Sequence, residues 1–476
     1  MRIRLILAAG DNDPVRGNNP FKPLSLTLLA GAAPGHDYDL VDMLSETEIN
    51  YDTNPDLVGI SVRRSSEEVA FKVADNYKTK GVPVILGGPQ VSANPFVSLQ
   101  HADAIVIGEG EELWLQLLDD FAAGKLKEFY VSAPKKFDAK GHSVFQLPEL
   151  PSLENIPKPR RDLFSRKYDF ELVFSSRGCA INCDFCSVTR LFGSRYRFRP
   201  VEDVVEEIAG FKGYYYLIDD TVFGRVNTYD YYLELYDKIS RLKKRNYWIG
   251  QANLDAASHE KGRKVIGKAV ESGFIYAAIG MESINKEVLQ KSGSYSKMGV
   301  RKSDDMLEKM KENIRFIQQQ GILISAWFAI GYEDDDLQTY YDTLNFCLEM
   351  NVLPVFTPVQ AMEGTDLYDR LKAEGRLQDP DKNVTNVPHH SITNQQVVKA
   401  MEYVHQKGYN LSAILKRTWF YFKILAGKKD QRVQDVIHKT IFAFITQWRF
   451  AKIVKQENET LKKRIKTNEA EQIKNL

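Results

Sequence analysis

Over the first 130 residues the apolar positions come in short runs separated by stretches of helical period. Runs at Arg2–Ala8, Tyr38–Met43, Leu57–Val62, Val82–Leu86 and Ala104–Ile107 are candidate strands. Leu24–Gly31, after Pro23, predicts a helix. Ser65–Lys80 predicts another, with Val69, Phe71, Val73 and Ala74 as its apolar positions, Ser65 or Ser66 as its cap and Gly81 as its stop. Strand and helix alternating at this spacing predict a doubly wound α/β domain over residues 1–130, and ligands of such sheets sit at the carboxyl ends of the strands. Glycine is concentrated there, as Gly59 within the third strand, Gly87-Gly88-Pro89 after the fourth and Gly108-Glu109-Gly110-Glu111 after the fifth. Two readings stand for these glycines, tight turns or the close approach of a bulky ligand to bare backbone.

Residues 131–165 lose this periodicity. They carry Pro134, Pro148, Pro151, Pro157 and Pro159, which predicts an interdomain linker. A second alternating series occupies 166–380, with candidate strands at Asp169–Ser175, Tyr214–Ile218, Trp248–Asn253, Ile275–Ile279, Leu323–Ile330 and Val352–Val359. Six βα units are too few for a closed eight-stranded barrel and suit an open, partial one. The remainder, 381–476, reads as helical.

Composition narrows the class. In a chain of 476 residues with 43% hydrophobic and 27% charged positions, wholesale disorder is excluded. Lys+Arg 64 against Asp+Glu 63 leaves a net charge of +1, which argues against a whole-chain electrostatic grip on nucleic acid or on anionic lipid, while local charge can still matter. No run is long and apolar enough for a spanning helix, and the apolar start reads as a first strand, not a signal peptide. The expected compartment is cytoplasmic and reducing. Of only 4 cysteines, Cys179, Cys183 and Cys186 crowd one loop, and in a reducing compartment such a group serves a metal. Cys347 sits between Phe346 and Leu348 on an amphipathic helix and reads as a core residue.

The crowded loop, Arg177-Gly178-Cys179-Ala180-Ile181-Asn182-Cys183-Asp184-Phe185-Cys186, follows directly on a candidate strand. Cubane iron–sulfur clusters take four thiolates, so three would leave one iron open to an exchangeable ligand. A structural zinc would want a closed set of four, and no fourth cysteine or histidine lies within the loop. Arg195, Arg197 and Arg199 follow, either to neutralise a bound anion or as a solvated charge run.

The Cys-x3-Cys-x2-Cys motif, with Phe185 before its last cysteine, resembles the signature of the radical S-adenosylmethionine (SAM) superfamily. That resemblance implies a [4Fe-4S] cluster on Cys179, Cys183 and Cys186, a partial (β/α)6 TIM-type barrel, and SAM bound at the open iron and cleaved to a 5′-deoxyadenosyl radical. It also implies SAM contacts from Phe185, from Asp219 and Asp220 after the second strand, from Glu282 and Ser283 after the fourth, and from Ile330 and Gly331 at the end of the fifth. Gly364-Thr365 follows the sixth strand, with Glu363 where relatives usually have proline. The order of Gly59 and Ser61, Gly87 and Gly88, then Gly108 and Glu109 ahead of the cysteine loop resembles the cobalamin-binding subgroup. It implies a Rossmann-like cobalamin-binding domain, although Gln90 stands where relatives often have histidine. Methylthiotransferases need further cysteines before Cys179, and there are none.

The implied activity is modification, above all methylation, of an unactivated carbon in a small-molecule or lipid-like substrate, with a flavodoxin or ferredoxin as electron donor. Radical cyclisation or rearrangement is the enzymatic alternative, and a non-catalytic iron–sulfur or ligand-binding module the alternative of another class. After Leu411, Lys416, Arg417, Lys423, Lys428, Lys429, Arg432, Lys439, Arg449, Lys452 and Lys455 interleave with Trp419, Phe420, Tyr421, Phe422, Phe442, Phe444, Trp448 and Phe450, while acids are sparse. Such helices either lie peripherally on an anionic membrane surface, here the inner face, or pack on the barrel with snorkelling lysines.

Overall fold

The computed structural model describes the chain except for positions 12, 14, 18, 47, 133–135, 138–142, 145–149, 301–304, 381, 390, 430 and 475–476. Pro134 and Pro148 of the expected linker lie outside the described residues. Two compact units form, Met1–Ala180 with Ser187–Pro200, and Ile181–Cys186 with Val201–Leu476.

The first unit is built on a parallel sheet of β1 (Arg2–Leu7), β2 (Asp37–Asp42), β3 (Leu57–Ser61), β4 (Val84–Gly87), β5 (Ala104–Ile107) and β6 (Phe129–Val131), in the order β2-β1-β3-β4-β5-β6. Both faces are covered, which is why the strands read as unbroken apolar runs. Ile6, Val58, Ile60, Leu86 and Ile105 pack with Ala70, Val73 and Tyr77 of the Glu67–Thr79 helix on one side. Ile3, Leu5, Leu57 and Ile85 pack with Leu26, Trp114 and Leu117 on the other. The chain reverses its direction of travel across the sheet between β1 and β3, so a crevice opens at their carboxyl ends. Ser66 stands at the helix start without capping it, since its hydroxyl accepts from Arg63 N–H at 3.0 Å. β6 is an addition to the expected set, and three residues are too few to show a period.

Each of the six candidate strands of the second series is a strand. Phe170–Val173, the first, belongs to the first unit, where Phe170 bridges to Phe21. In the second unit the strands Tyr214–Leu217, Trp248–Ala252, Phe274–Gly280, Leu323–Ile330 and Leu353–Pro358 pair in sequence order, all parallel. Helices Tyr229–Ser240, Glu260–Glu271, Met306–Gln319 and Leu337–Met350 connect them. Each connecting helix presents one apolar stripe. In the first of them Tyr229, Tyr232, Leu235, Tyr236 and Ile239 are buried at helical spacing, and Tyr236 meets Trp248, which in turn lies 4.3 Å from Phe274 between ring centroids. Cys347 is fully buried, as a core residue should be.

The tail is helical throughout, as Asn394–Gly408, Leu411–Ala426 and Val433–Lys474. Part of it packs, with Phe450, Ala451 and Val454 against Leu353 and Tyr409. Part of it does not. Leu411, Leu415 and Trp419 on one helix, and Val433, Ile437, Ile441, Ile445 and Trp448 on the next, are exposed at intervals of three and four residues. No helix among the described residues is long and apolar enough to cross a membrane.

Candidate functional site

Two places collect the residues singled out in the sequence, one in each unit. In the first unit a cavity of about 240 Å³ opens at the carboxyl edge of the sheet. Gly59, Ser61, Gly87, Gly88, Gly108 and Glu109 all line it, along with Trp114 and Phe192. The glycines keep the edge bare for steric reasons. A Cβ on Gly59 would come within 2.8 Å of Leu5 and 3.2 Å of Trp114. Gly88 has φ +106°, and a Cβ there would lie 2.7 Å from the Val62 carbonyl oxygen. Gly108 N–H donates to Ser92 Oγ at 2.9 Å, which pins the turn after β5. A bare, glycine-lined sheet edge is a floor on which a large planar group can rest. Gln90 is turned aside, its amide donating to Glu67 at 3.0 Å.

The cavity wall carries a buried charge network. Arg177 pairs with Glu109 at 2.5 Å and with Glu111, and Arg197 pairs with Glu109. Burial works against charge on Glu111, but Arg177 outweighs it and holds the carboxyl below its ordinary range. Arg197 is thus committed to this wall, and Arg199 donates to the Phe174 carbonyl at 3.0 Å. For these two arginines, therefore, neither a solvated run nor a free anion-neutralising pair describes the arrangement.

The cysteine loop is shaped by backbone bonds. Gly178 has φ +96° and lies so close to the Arg195 carbonyl that no side chain fits. Cys179 N–H donates to Gly193 O at 3.1 Å. Beyond it, Asp184 N–H donates to Ser292 O at 3.0 Å, Cys186 N–H to Cys183 O at 3.1 Å, and Leu367 N–H to Asp184 O at 2.9 Å. Cys183 is 3% exposed, while Cys179 and Cys186 are half-buried. Among the described residues no group of three or more His, Cys, Asp or Glu side chains is poised to hold a metal ion. The loop's donor chemistry suits an iron–sulfur cluster all the same, with three thiols and no imidazole within it.

In the second unit, side chains gather beside Cys183 and Cys186. Glu282 follows the Phe274–Gly280 strand with φ +59°, a left-handed conformation unusual for a glutamate, and its N–H and that of Met281 both donate to the Trp327 carbonyl, at 3.0 and 2.8 Å. The turn aims Glu282 at Lys297, whose Nζ lies 2.6 Å from Oε1 and 6.0 Å from the Phe185 ring centroid. Burial disfavours charge on Lys297, but Glu282 and the Cys183 and Cys186 sulfurs outweigh it and raise its pKa above the ordinary lysine value. The sequence reading missed Lys297, which has no motif of its own. Only the fold brings it to the cysteines.

The other expected residues separate by surroundings. Asp219 is fully buried and accepts from Tyr232 O–H at 3.1 Å, whereas Asp220 is half-buried at the same strand end. Ser283 Oγ accepts from Asn285 N–H at 3.0 Å. Gly331 has φ +91°, and its N–H and that of Tyr332 both donate to Asp335, at 2.8 and 2.9 Å. Burial lifts the Asp335 pKa to about 6 against those two bonds. Ile330 is buried at the end of its strand. Gln251, Trp327 and Thr357 are the exposed positions of otherwise buried strands, and Phe450 of the last helix stands edge-on to Trp327 at 6.2 Å.

Residues 173–344 match the model of the Radical SAM superfamily. Over 394 residues the chain is 25% identical to bacteriochlorophyllide d C-8(2)-methyltransferase of Chlorobaculum tepidum, covering 79% of this chain and 82% of that protein. Over 345 residues it is 27% identical to hopanoid C-2 methylase of Rhodopseudomonas palustris, covering 71% of this chain and 61% of that one. Among solved structures, the cobalamin-dependent SAM radical enzyme OxsB with aqua-cobalamin and SAM bound matches with a TM-score of 0.66 at 15% identity, over 95% of this chain and 71% of that one. Residues 173–344 thus carry a Radical SAM domain, and the chain shares the fold of the cobalamin-dependent SAM radical enzyme OxsB, a Rossmann-like α/β domain followed by a partial barrel and a helical region.

Proposed function

We propose that the protein is a cobalamin-dependent radical SAM methylase that adds a methyl group to an unactivated carbon of an apolar, polycyclic or lipid-like molecule. The observation that carries this reading is the gathering of Phe185, Glu282 and Lys297 beside Cys183 and Cys186. When bound, the cofactors supply a 5′-deoxyadenosyl radical for hydrogen abstraction and a methyl carrier on cobalt. Cys179, Cys183 and Cys186 hold the cluster. Glu282, Ser283 and Asp220 offer hydrogen-bond partners for the hydroxyls and ammonium of SAM, Gly331 offers a backbone without side-chain bulk, and Lys297 offsets negative charge beside the thiolates. The glycine-lined cavity of the first unit receives the corrin, and its paired Arg177, Glu109, Glu111 and Arg197 stiffen the wall. We assign 1–130 to cobalamin, 131–165 to the linker, 166–380 to the radical barrel and 381–476 to the helical region.

The names of the two relatives, a bacteriochlorophyllide methyltransferase and a hopanoid methylase, support an apolar ring system as substrate. Trp327 and Phe450 offer aromatic contact to such a molecule. A flavodoxin or ferredoxin supplies electrons. The exposed apolar stripe of the last two helices, with Trp419 at 59% exposure and lysines alongside, supports peripheral contact with an anionic membrane surface at its cytoplasmic face. The test is a comparison of organic extracts from cells with and without the gene, fed methionine labelled in its methyl group. A labelled apolar compound should disappear with the gene, and identical extracts would contradict the reading.

A further inference from the structure

A second cavity, of about 420 Å³, lies in the second unit at the amino-terminal edge of its sheet, away from the strand ends that follow the cysteines. Arg245, just before the Trp248–Ala252 strand, and Glu271, at the end of the Glu260–Glu271 helix, form one side. Lys428, Lys429 and Gln431 from the turn between the last two helices, with Asp435 and Lys439 from the start of the final one, form the other. Four cations therefore face two acids, and the direct bonds of both acids go to other residues, although Asp435 still acts electrostatically on Lys439 and Arg245. Glu271 pairs with Lys268 at 2.8 Å, and Asp435 accepts from Tyr247 O–H and pairs with Arg432 at 3.4 Å. Among the described residues none of the four cations has a carboxylate within ion-pair distance, and Arg245 donates only to the Val270 carbonyl, at 2.7 Å.

Lys439 makes this imbalance chemically pointed. It is 2% exposed, and a buried ammonium without a direct ion pair is unfavourable. Burial, reinforced by Arg245 and Lys428, outweighs the opposing pull of Asp435 and brings its pKa down to about 8. An anion with several acceptor oxygens would satisfy donors arriving from both sides of the cavity, and a tetrahedral phosphate has that geometry where a planar carboxylate does not. Lys243 and Lys244, both exposed, extend the positive rim beside Arg245.

We propose that this cavity is a phosphate-binding site, holding a phosphomonoester or phosphodiester group between Arg245 and Lys428, Lys429 and Lys439. The group can come from a soluble organophosphate or from a phospholipid headgroup. Val433, 73% exposed and lying between Gln431 and Asp435 of the cavity wall, places an apolar side chain at its margin and favours the headgroup. The site stands without the methylation reading, and only its lipid arm rests on membrane contact.

The experiment uses the full chain. Inorganic phosphate is titrated by calorimetry, and flotation is measured with phosphatidylcholine vesicles with and without phosphatidic acid. Phosphate should bind, and the Lys428→Gln/Lys429→Gln variant should weaken it roughly tenfold. Arg245→Gln/Lys429→Gln, which alters two exposed positions, should do the same with an unchanged circular dichroism spectrum. Flotation that requires phosphatidic acid and falls in the same variants assigns the headgroup, while phosphate binding with unaltered flotation assigns a soluble ligand. Failure to bind phosphate, or binding equal in wild type and variants, overturns the proposal, as does a single-stranded oligonucleotide outcompeting both probes. Extracts tested for methylation are unaffected by any of these outcomes.

Discussion

Lys297 and Glu282 form the pair on which the second unit's site turns, since both side chains are nearly buried and lie 2.6 Å apart. Removing one member of a buried pair leaves the other uncompensated, at a cost of about 3 kcal/mol or more. Lys297→Met should therefore lower the midpoint of thermal unfolding and impair SAM cleavage, whereas Lys297→Arg should recover part of both. Unchanged melting in the methionine variant would show that the pair contributes nothing. Lys439 supplies a pH-dependent counterpart. Its folded pKa of about 8 lies below the unfolded value, so between about pH 8 and 10.5 the unfolded chain binds a proton that the folded chain does not, and stability rises with pH across that window. Relative to Lys439→Met, the wild type should gain up to about 3 kcal/mol from pH 7.5 to 10 in low-phosphate buffer, read by urea unfolding. A parallel pH dependence in the two proteins would contradict it.

At the scale of elements, the strands and the glycine edge were legible because both rest on local pattern. Five runs of the first domain became β1 to β5, and the six glycine-edge positions converged on one cavity, because period and turn chemistry are written in neighbouring residues. The three-residue β6 was not legible, and neither was the partnership of Arg177 and Arg197 with Glu109 and Glu111, whose members lie 66 to 88 residues apart. The sequence offered a run of arginines and a run of glutamates without saying that they would neutralise each other. Lys297 was hidden for the same reason. The charge network yields a prediction of its own. Arg177→Ala strips a partner from two buried carboxylates, so it should cost about 3–5 kcal/mol and abolish corrinoid binding, judged by the visible spectrum after reconstitution with hydroxocobalamin. An intact corrinoid spectrum in that variant would separate the network from the cavity's function.

For the whole molecule, a net charge of +1 conceals a marked polarity, because basic and aromatic residues are concentrated in the last helices. The sequence left open whether those helices pack or present a free face, and the structure shows both, with Val454 buried and Phe450 partly buried against Leu353 and Tyr409 and with Trp419 and Trp448 exposed. A Trp419→Glu/Trp448→Glu variant should keep its fold and lose flotation with anionic vesicles, and undiminished flotation would assign membrane contact elsewhere. The most direct test of the central claim concerns the cluster loop. Anaerobically reconstituted protein, given SAM and a low-potential reductant, should release 5′-deoxyadenosine, and Cys183→Ala should abolish that release. Release that persists undiminished in Cys183→Ala would contradict the account.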